Sequence, residues 1–349
     1  MKNTTRLHTP LRAAAPALGL AALTLLALAP TAARAQTQDL FVSNYNSSTI
    51  SRFAGTGSGT FGTTATTLSG LSQPEGLVFD AKGDLLVANY TGNSITEFAS
   101  TGGGTLAAGT LLLTSGLSGP VGLALDGRGD LFATNLGAGL NGTTITEFAT
   151  TGLGTFSTTA TTFATSLNGP TGLAFNSGNL FVANYNGNTN GSGTITEFAG
   201  GPSTTFATGL SGPDGLVFDK NGDLFVANSL NGTITEFTFN PGAGTFGAGT
   251  MFASGLNGPN GLAVDARGDL FASIYAGGTA GQGSIAEFAF NPGAGTFAMG
   301  TTVERGLNGP SFLTFSAPVP EASTTGSLGL LLLLGVGGMV VAGKRKKKA

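Results

Sequence analysis

The sequence predicts an all-β, six-bladed β-propeller closed by its own two ends and flanked by a leader and a tail that lie outside the ring. Three observations predict it. Three short patterns recur in fixed order, six times each, with successive first patterns 43 to 51 residues apart. Glycine and threonine dominate, phenylalanine is frequent and only 9% of residues are charged, a composition that disfavours helices and suits strands and tight turns. The first and last repeats are also complementary halves, since the body opens on the second pattern and closes on an orphan first one.

The first pattern is a Pro-x-Gly-Leu entry into a strand at Pro74, Pro120, Pro170, Pro213 and Pro259, with the variant Pro-Ser-Phe-Leu at Pro310. The second is a strand of DLFVAN type beginning at Asp39, Asp84, Asp130, Asn179, Asp223 and Asp269. The third, of ITEF type, begins at Ile50, Ile95, Ile145, Ile195, Ile234 and Ile285. A variable fourth segment, such as TLLLT near residue 112, completes a four-stranded unit of propeller-blade length. The opening QDLFVSN lacks an entry strand and GLNGPSFLTF supplies one, so the two predict one blade stitched from both ends.

Each repeat carries turn chemistry at the same points. DAKGD, DGRGD, DKNGD and DARGD place Asp80, Asp126, Asp219 and Asp265 at hairpin starts, where an Asp side chain accepts backbone N–H groups. They lack the alternating acids and terminal Glu of a calcium loop. Glu97, Glu147, Glu197, Glu236 and Glu287 recur in the third strand, and with hairpin Lys82, Arg128, Lys220 and Arg267 they predict a ring of surface ion pairs. Asn89, Asn135, Asn184 and Asn228 end second strands and open the loops of most variable length, so these loops, with Tyr90, Tyr185 and Tyr275, are predicted to form the partner-facing surface.

What is missing narrows the chemistry. There is no Cys, and the single His, His8, falls in the leader. The body therefore has no disulfide framework, thiolate or imidazole metal site, or Ser-His-Asp or Cys-His nucleophile. Residues 36–318 hold six basic and seventeen acidic side chains, a net charge of −11, which disfavours binding to nucleic acid.

The ends read as addresses. Residues 1–35 combine early basic residues, an apolar run and Ala33-Arg34-Ala35 before Gln36, the pattern of a secretory signal peptide. Residues 319–349 hold an uncharged stretch from Ser327 to Gly343, long enough as a helix for a minimal membrane span, and then a basic cluster. Val319-Pro320-Glu321-Ala322-Ser323, that Gly/Leu-rich span and the basic end resemble the PEP-CTERM sorting signal of Gram-negative bacteria, with Ala322 where the family usually has Pro. The resemblance implies membrane anchoring by the C-terminus until processing by an exosortase, then a secreted or cell-envelope location near the exopolysaccharide layer.

The repeats of residues 38–316 resemble six-bladed propellers of the NHL and SMP-30/gluconolactonase-like type. The residue after each entry proline is expected at the mouth of the central channel, where the ring reads Glu75, Val121, Thr171, Asp214, Asn260 and Ser311. Glu75, Asp214 and Asn260 are hard oxygen donors suited to Ca²⁺ or another divalent cation. QPEGLVFD and GPDGLVFD resemble metal-binding entry strands of SMP-30-like lactonases, which implies that these three residues hold a metal. The chain departs from that pattern: its Asn follows Asp214 by one blade, and Thr171 stands where the family has Asn. On this reading the protein is a non-enzymatic recognition module at the cell envelope, with a saccharide or a protein as ligand. The alternatives are a metal-dependent lactonase or hydrolase and a passive spacer.

Overall fold

The computed structural model describes residues 36–320 apart from 58–59, 103, 138, 187–189, 279–280 and 318. Residues 1–35, expected to be a leader, and residues 321–349, expected to belong to a sorting signal, lie outside the described residues. Six four-stranded antiparallel sheets are present among the described residues. One runs Pro74–Phe79, Leu85–Asn89, Ser94–Phe98 and Thr110–Leu113, and four more repeat that order. The sixth joins the two ends: Pro310–Phe315 pairs with Leu40–Asn44, which continues to Thr49–Phe53 and Thr66–Leu68. Leu40 lies opposite Phe315, Val42 opposite Leu313 and Asn44 opposite Pro310, so an edge that an open array would expose is paired. Gln36–Thr37 and Val319–Pro320 extend the seam by a further short pairing.

The entry strands are innermost and touch one another around the axis. Their glycines explain how they approach so closely. A Cβ on Gly76 would lie 2.3 Å from the Val121 carbonyl oxygen, and one on Gly215 would lie 2.4 Å from that of Asn260. The Pro-x-Gly-Leu pattern is therefore a packing requirement of the ring and not only a turn signal.

All five residues of a second strand such as Leu85–Asn89 are buried, because each blade is covered on both faces by its neighbours. The phenylalanines fill the gaps between blades. Phe41–Phe79, Phe132–Phe175, Phe181–Phe218 and Phe271–Phe315 repeat one edge-to-face contact, with ring centroids 5.0 to 5.1 Å apart.

The hairpin aspartates behave as turn caps. Asp80 Oδ1 accepts the N–H groups of Lys82 and Asp84, both at 2.9 Å, and Asp126, Asp219 and Asp265 do the same. The ion-pair ring does not form as expected. Among the described residues only Arg267 reaches its third-strand glutamate, Glu287, at 3.5 Å, while Lys82 pairs with hairpin Asp84 at 3.8 Å. Arg267 also pairs with hairpin Asp265 and Asp269, whereas Lys220 lies over the Phe290 ring, 4.4 Å from its centroid, and Arg128 forms no ion pair among the described residues. Small two-stranded ribbons such as Phe239–Asn240 with Thr245–Phe246 join third to fourth strands, and the sequence patterns did not announce them.

Candidate functional site

Strand register brings the site together. Pro74 pairs with Asn89 and Pro213 with Asn228, so the start of each entry strand and the end of each second strand meet at one end of the ring. The residue after the second strand then folds over the mouth. In every blade its N–H donates to the residue before the entry proline, as in Tyr45 to Gly309 at 2.9 Å, Tyr185 to Gly169 at 2.8 Å and Tyr275 to Gly258 at 2.9 Å. Beneath this rim lies a cavity of about 460 Å³ lined by all six residues that follow the entry prolines. Glu75, Asp214 and Asn260 thus share one cavity.

The six floor positions are not equivalent. The Ser311 hydroxyl of the closing blade donates to the Glu75 carboxyl of the neighbouring blade. The Thr171 hydroxyl donates to the Pro213 carbonyl at 3.0 Å, so it serves the packing between blades, and Val121 offers no donor. Asp214 and Asn260 make no side-chain hydrogen bond among the described residues, which leaves their polar groups to the cavity. Both Glu75 and Asp214 are partly buried. Burial pushes the Glu75 carboxyl up to about 8, with the Ser311 hydrogen bond opposing and the Asp214 charge adding to the shift. Burial alone pushes Asp214 up to about 7.

The chain has four tyrosines, and all four line this cavity. Tyr45 and Tyr90 have ring centroids 6.1 Å apart, inclined at 52°. Burial pushes the Tyr45 phenol up to about 12, helped by Glu75, Tyr90 and Tyr275. Tyr90 donates to the Gly137 carbonyl at 2.9 Å, which anchors it to the next blade. Burial followed by the Asp214 charge raises Tyr185. Tyr45 was not singled out by the sequence reading, although it follows Asn44 just as Tyr90 follows Asn89. The apolar rim residues Leu136, Leu140 and Leu230 were missed as well, since loop leucines carry no pattern.

The loop asparagines are corrected. Asn89, Asn135, Asn184 and Asn228 are only 2 to 3% exposed and are spent inside their own blades. Asn89 Nδ2 donates to Thr96 Oγ1 at 2.9 Å while its Oδ1 accepts the Ser72 N–H at 3.0 Å, and Asn228 repeats this with Thr235 and Ser211. Asn89, Asn135 and Asn228 staple the second strand to the third and to the incoming entry loop, whereas among the described residues Asn184 bonds only third-strand Thr194 and Thr196. Of the loop positions expected to face a partner, Tyr90, Tyr185 and Tyr275 line the cavity.

A second cavity, of about 490 Å³, is lined by the later residues of the entry strands and has no titratable side chain in its wall. The mouth is therefore the end with chemistry. For a metal, Glu75, Asp214 and Asn260 are donors of the right hardness. Among the described residues, however, no group of three or more His, Cys, Asp or Glu side chains gathers to hold an ion. Calcium takes roughly six to eight oxygens. The three side chains supply three such donors, and Ser311 and Thr171 are already engaged in hydrogen bonds.

No family model matches the chain, and no curated protein matches its sequence. Solved structures do match in three dimensions. The chain is similar to a gluconolactonase from Xanthomonas campestris, with a TM-score of 0.55, 16% identity and coverage of 83% of this chain and 96% of that one. It is also similar to virginiamycin B lyase from Staphylococcus aureus, with a TM-score of 0.54, 16% identity and coverage of 80% and 87%. A streptogramin B lyase gives 0.53, 14% identity and coverage of 80% and 95%. The fold is a six-bladed propeller. At this identity the likeness establishes architecture, and the function rests on the mouth itself.

Proposed function

We propose that the chain is an exported propeller whose channel mouth binds a small organic molecule and carries acid–base chemistry on it, with hydrolysis of an ester or lactone as the reaction class. The observation that carries this reading is the placement of Glu75 and Asp214 three blades apart on one cavity; burial there pushes their carboxyls up to about 8 and about 7. At neutral pH such a pair holds one proton, so it offers a base and an acid together. Asp214, with the lower value, takes a proton from water as the water oxygen bonds to the carbonyl carbon. The acyl C–O bond then breaks as Glu75 hands its proton to the departing oxygen. The names of the similar structures, a gluconolactonase and two lyases, support an enzymatic reading over the non-enzymatic recognition module expected from sequence.

The test is turnover of a panel of lactones and aryl esters by the purified chain, with and without EDTA. Turnover indifferent to chelator and reduced about 100-fold or more in both Glu75→Gln and Asp214→Asn supports the proposal. Activity abolished by EDTA and restored by Ca²⁺ would establish the metal-dependent lactonase instead, with Glu75, Asp214 and Asn260 as ligands. Binding without turnover would return the recognition module, and neither would leave a passive spacer.

The export half of the proposal rests on residues 1–35 and 319–349, with an exosortase as processing partner and the exopolysaccharide layer as destination. Cell fractionation of the wild type beside Pro320→Ala checks it. The variant should remain in the membrane with its tail uncut, and unchanged release of both proteins would refute the sorting signal.

A further inference from the structure

We infer that the ligand of this cavity is an organic monocation with an apolar body, a quaternary ammonium compound, held by the tyrosine rim and charge-balanced by Glu75 and Asp214. The inference rests on the mouth being the ligand site, and it adds the class of molecule that the site takes.

The aromatic groups are distributed unevenly. Tyr275, Tyr45 and Tyr90 stand on three consecutive blades, and the floor positions of those same blades are Asn260, Ser311 and Glu75. Tyr185 stands on the other side, within reach of the Asp214 charge. The negative faces of aromatic rings attract a weakly hydrated cation, and carboxyl groups beneath them supply its counter-charge. Quaternary ammonium groups suit this arrangement because their charge is spread over an apolar surface and demands no oxygen ligands. A small, strongly hydrated metal ion gains little from ring faces, so the tyrosine rim favours the organic cation.

Charge excludes the opposite class. Among the described residues no Lys, Arg or His lines the cavity, and residues 36–318 carry a net charge of −11. An anionic ligand would meet carboxyl groups with nothing to offset them. A neutral sugar could stack on the tyrosines and hydrogen-bond the carboxyls but would leave the charge of an ionised carboxyl unpaired. A monocation balances a carboxyl pair that retains one proton.

The pair also fixes a pH dependence. The groups facing the two carboxyls from the surrounding blades are the phenols of Tyr45, Tyr90, Tyr185 and Tyr275, with no basic side chain among them. Burial raises Tyr45, Tyr90 and Tyr185 above their ordinary value, so these do not titrate in the neutral range. Asp214 at about 7 then governs binding, and affinity for a monocation should rise about tenfold between pH 6 and pH 8, with proton release at the acid end.

The chain has no Trp, so its intrinsic fluorescence comes from the four rim tyrosines alone and reads this cavity directly. The experiment titrates the purified full chain with choline and with its carbon isostere, in which a tert-butyl group replaces the trimethylammonium. Methyl glucoside and Ca²⁺ are titrated in parallel. Choline binding at least ten times tighter than the isostere, strengthening from pH 6 to pH 8 and weakened at least tenfold in Asp214→Asn and in Tyr45→Leu, is the expected result. Equal affinity for choline and isostere, tighter binding of methyl glucoside, or displacement of choline by micromolar Ca²⁺ would overturn the inference while leaving the mouth as the ligand site. A fluorescence signal unmoved by every probe would overturn both. Asp214→Asn preserves shape, and a circular dichroism spectrum matching the wild type shows that a lost signal is not lost folding.

Discussion

Ser311 hydrogen-bonds Glu75 although 236 positions separate them in the chain. The contact exists only because the last strand of the body pairs with the first, which sets the floor of one blade beside that of the next. The hydrogen bond favours the ionised carboxyl and so opposes the upward push of burial. Ser311→Ala should therefore move Glu75 further up from about 8. Tyr45 senses the Glu75 charge, so a pH titration of tyrosine fluorescence reads the shift, and an unchanged or lower midpoint would refute it.

Stability should fall as the pH rises towards 8. Glu75 and Asp214 keep their protons in the folded chain over a range where the unfolded chain has released them, so the folded state binds more protons. Stability then decreases with pH from about 4.5 upward, and the decrease ends once pH passes the folded value near 8. Urea melts at pH 5 and pH 8 check the sign. The double variant Glu75→Gln, Asp214→Asn should shrink the difference, leaving the part that comes from Glu97, Glu147, Asp223, Glu236, Glu287 and Glu304, which burial also raises.

Closure of the ring should be cooperative. Leu313 is 4% exposed and packs with Leu40, Val42 and Phe53 across the seam. Leu313→Ala removes buried apolar volume and should cost about 2–5 kcal/mol in denaturant melts. A loss below about 0.5 kcal/mol, the scale of a surface substitution, would mean that the seam carries little of the stability.

Two glycines separate packing from flexibility. Gly215→Ala places a methyl group 2.4 Å from the Asn260 carbonyl oxygen, a backbone atom that cannot step aside, and should destabilise by more than about 2 kcal/mol. The hairpin Gly127 has nothing within 4 Å of its added Cβ, and Gly127→Ala should be neutral or slightly stabilising. Equal thermal shifts in the two variants would refute the close-approach account of the entry motif.

The asparagine staples should behave as structure. Asn228→Ala strands the Thr235 hydroxyl and the Ser211 N–H, and a loss of about 1–3 kcal/mol is expected, with ligand response at the mouth retained in the folded fraction. Lost ligand response at full stability would restore Asn228 to the binding surface.

Much of the architecture is legible in the sequence because each blade repeats the same local bargain between turn and strand. The entry proline, the hairpin aspartate and the run of apolar residues recur at the same points, and Phe315 opposite Leu40 follows from counting half repeats. Less of the mouth is legible. Glu75, Asp214 and Asn260 stand out as carboxyl and amide side chains at a position that elsewhere takes Val121, Thr171 and Ser311. Nothing local distinguishes Asn89, which is stapled in the blade, from Tyr90, which turns over the cavity, because the two are consecutive in the same loop. Strand register decides that only one of them faces inward.

The chain by itself determined a ring of six like units, the absence of imidazole and thiol from its body, and the acid balance of its surface, since these depend on composition, spacing and turn chemistry alone. Tertiary structure decided that four scattered tyrosines gather over two opposed carboxyls, and that Ser311 touches Glu75. The physical reason is that such meetings are set by how blades pack around an axis, an arrangement of residues far apart in the chain that no single repeat encodes.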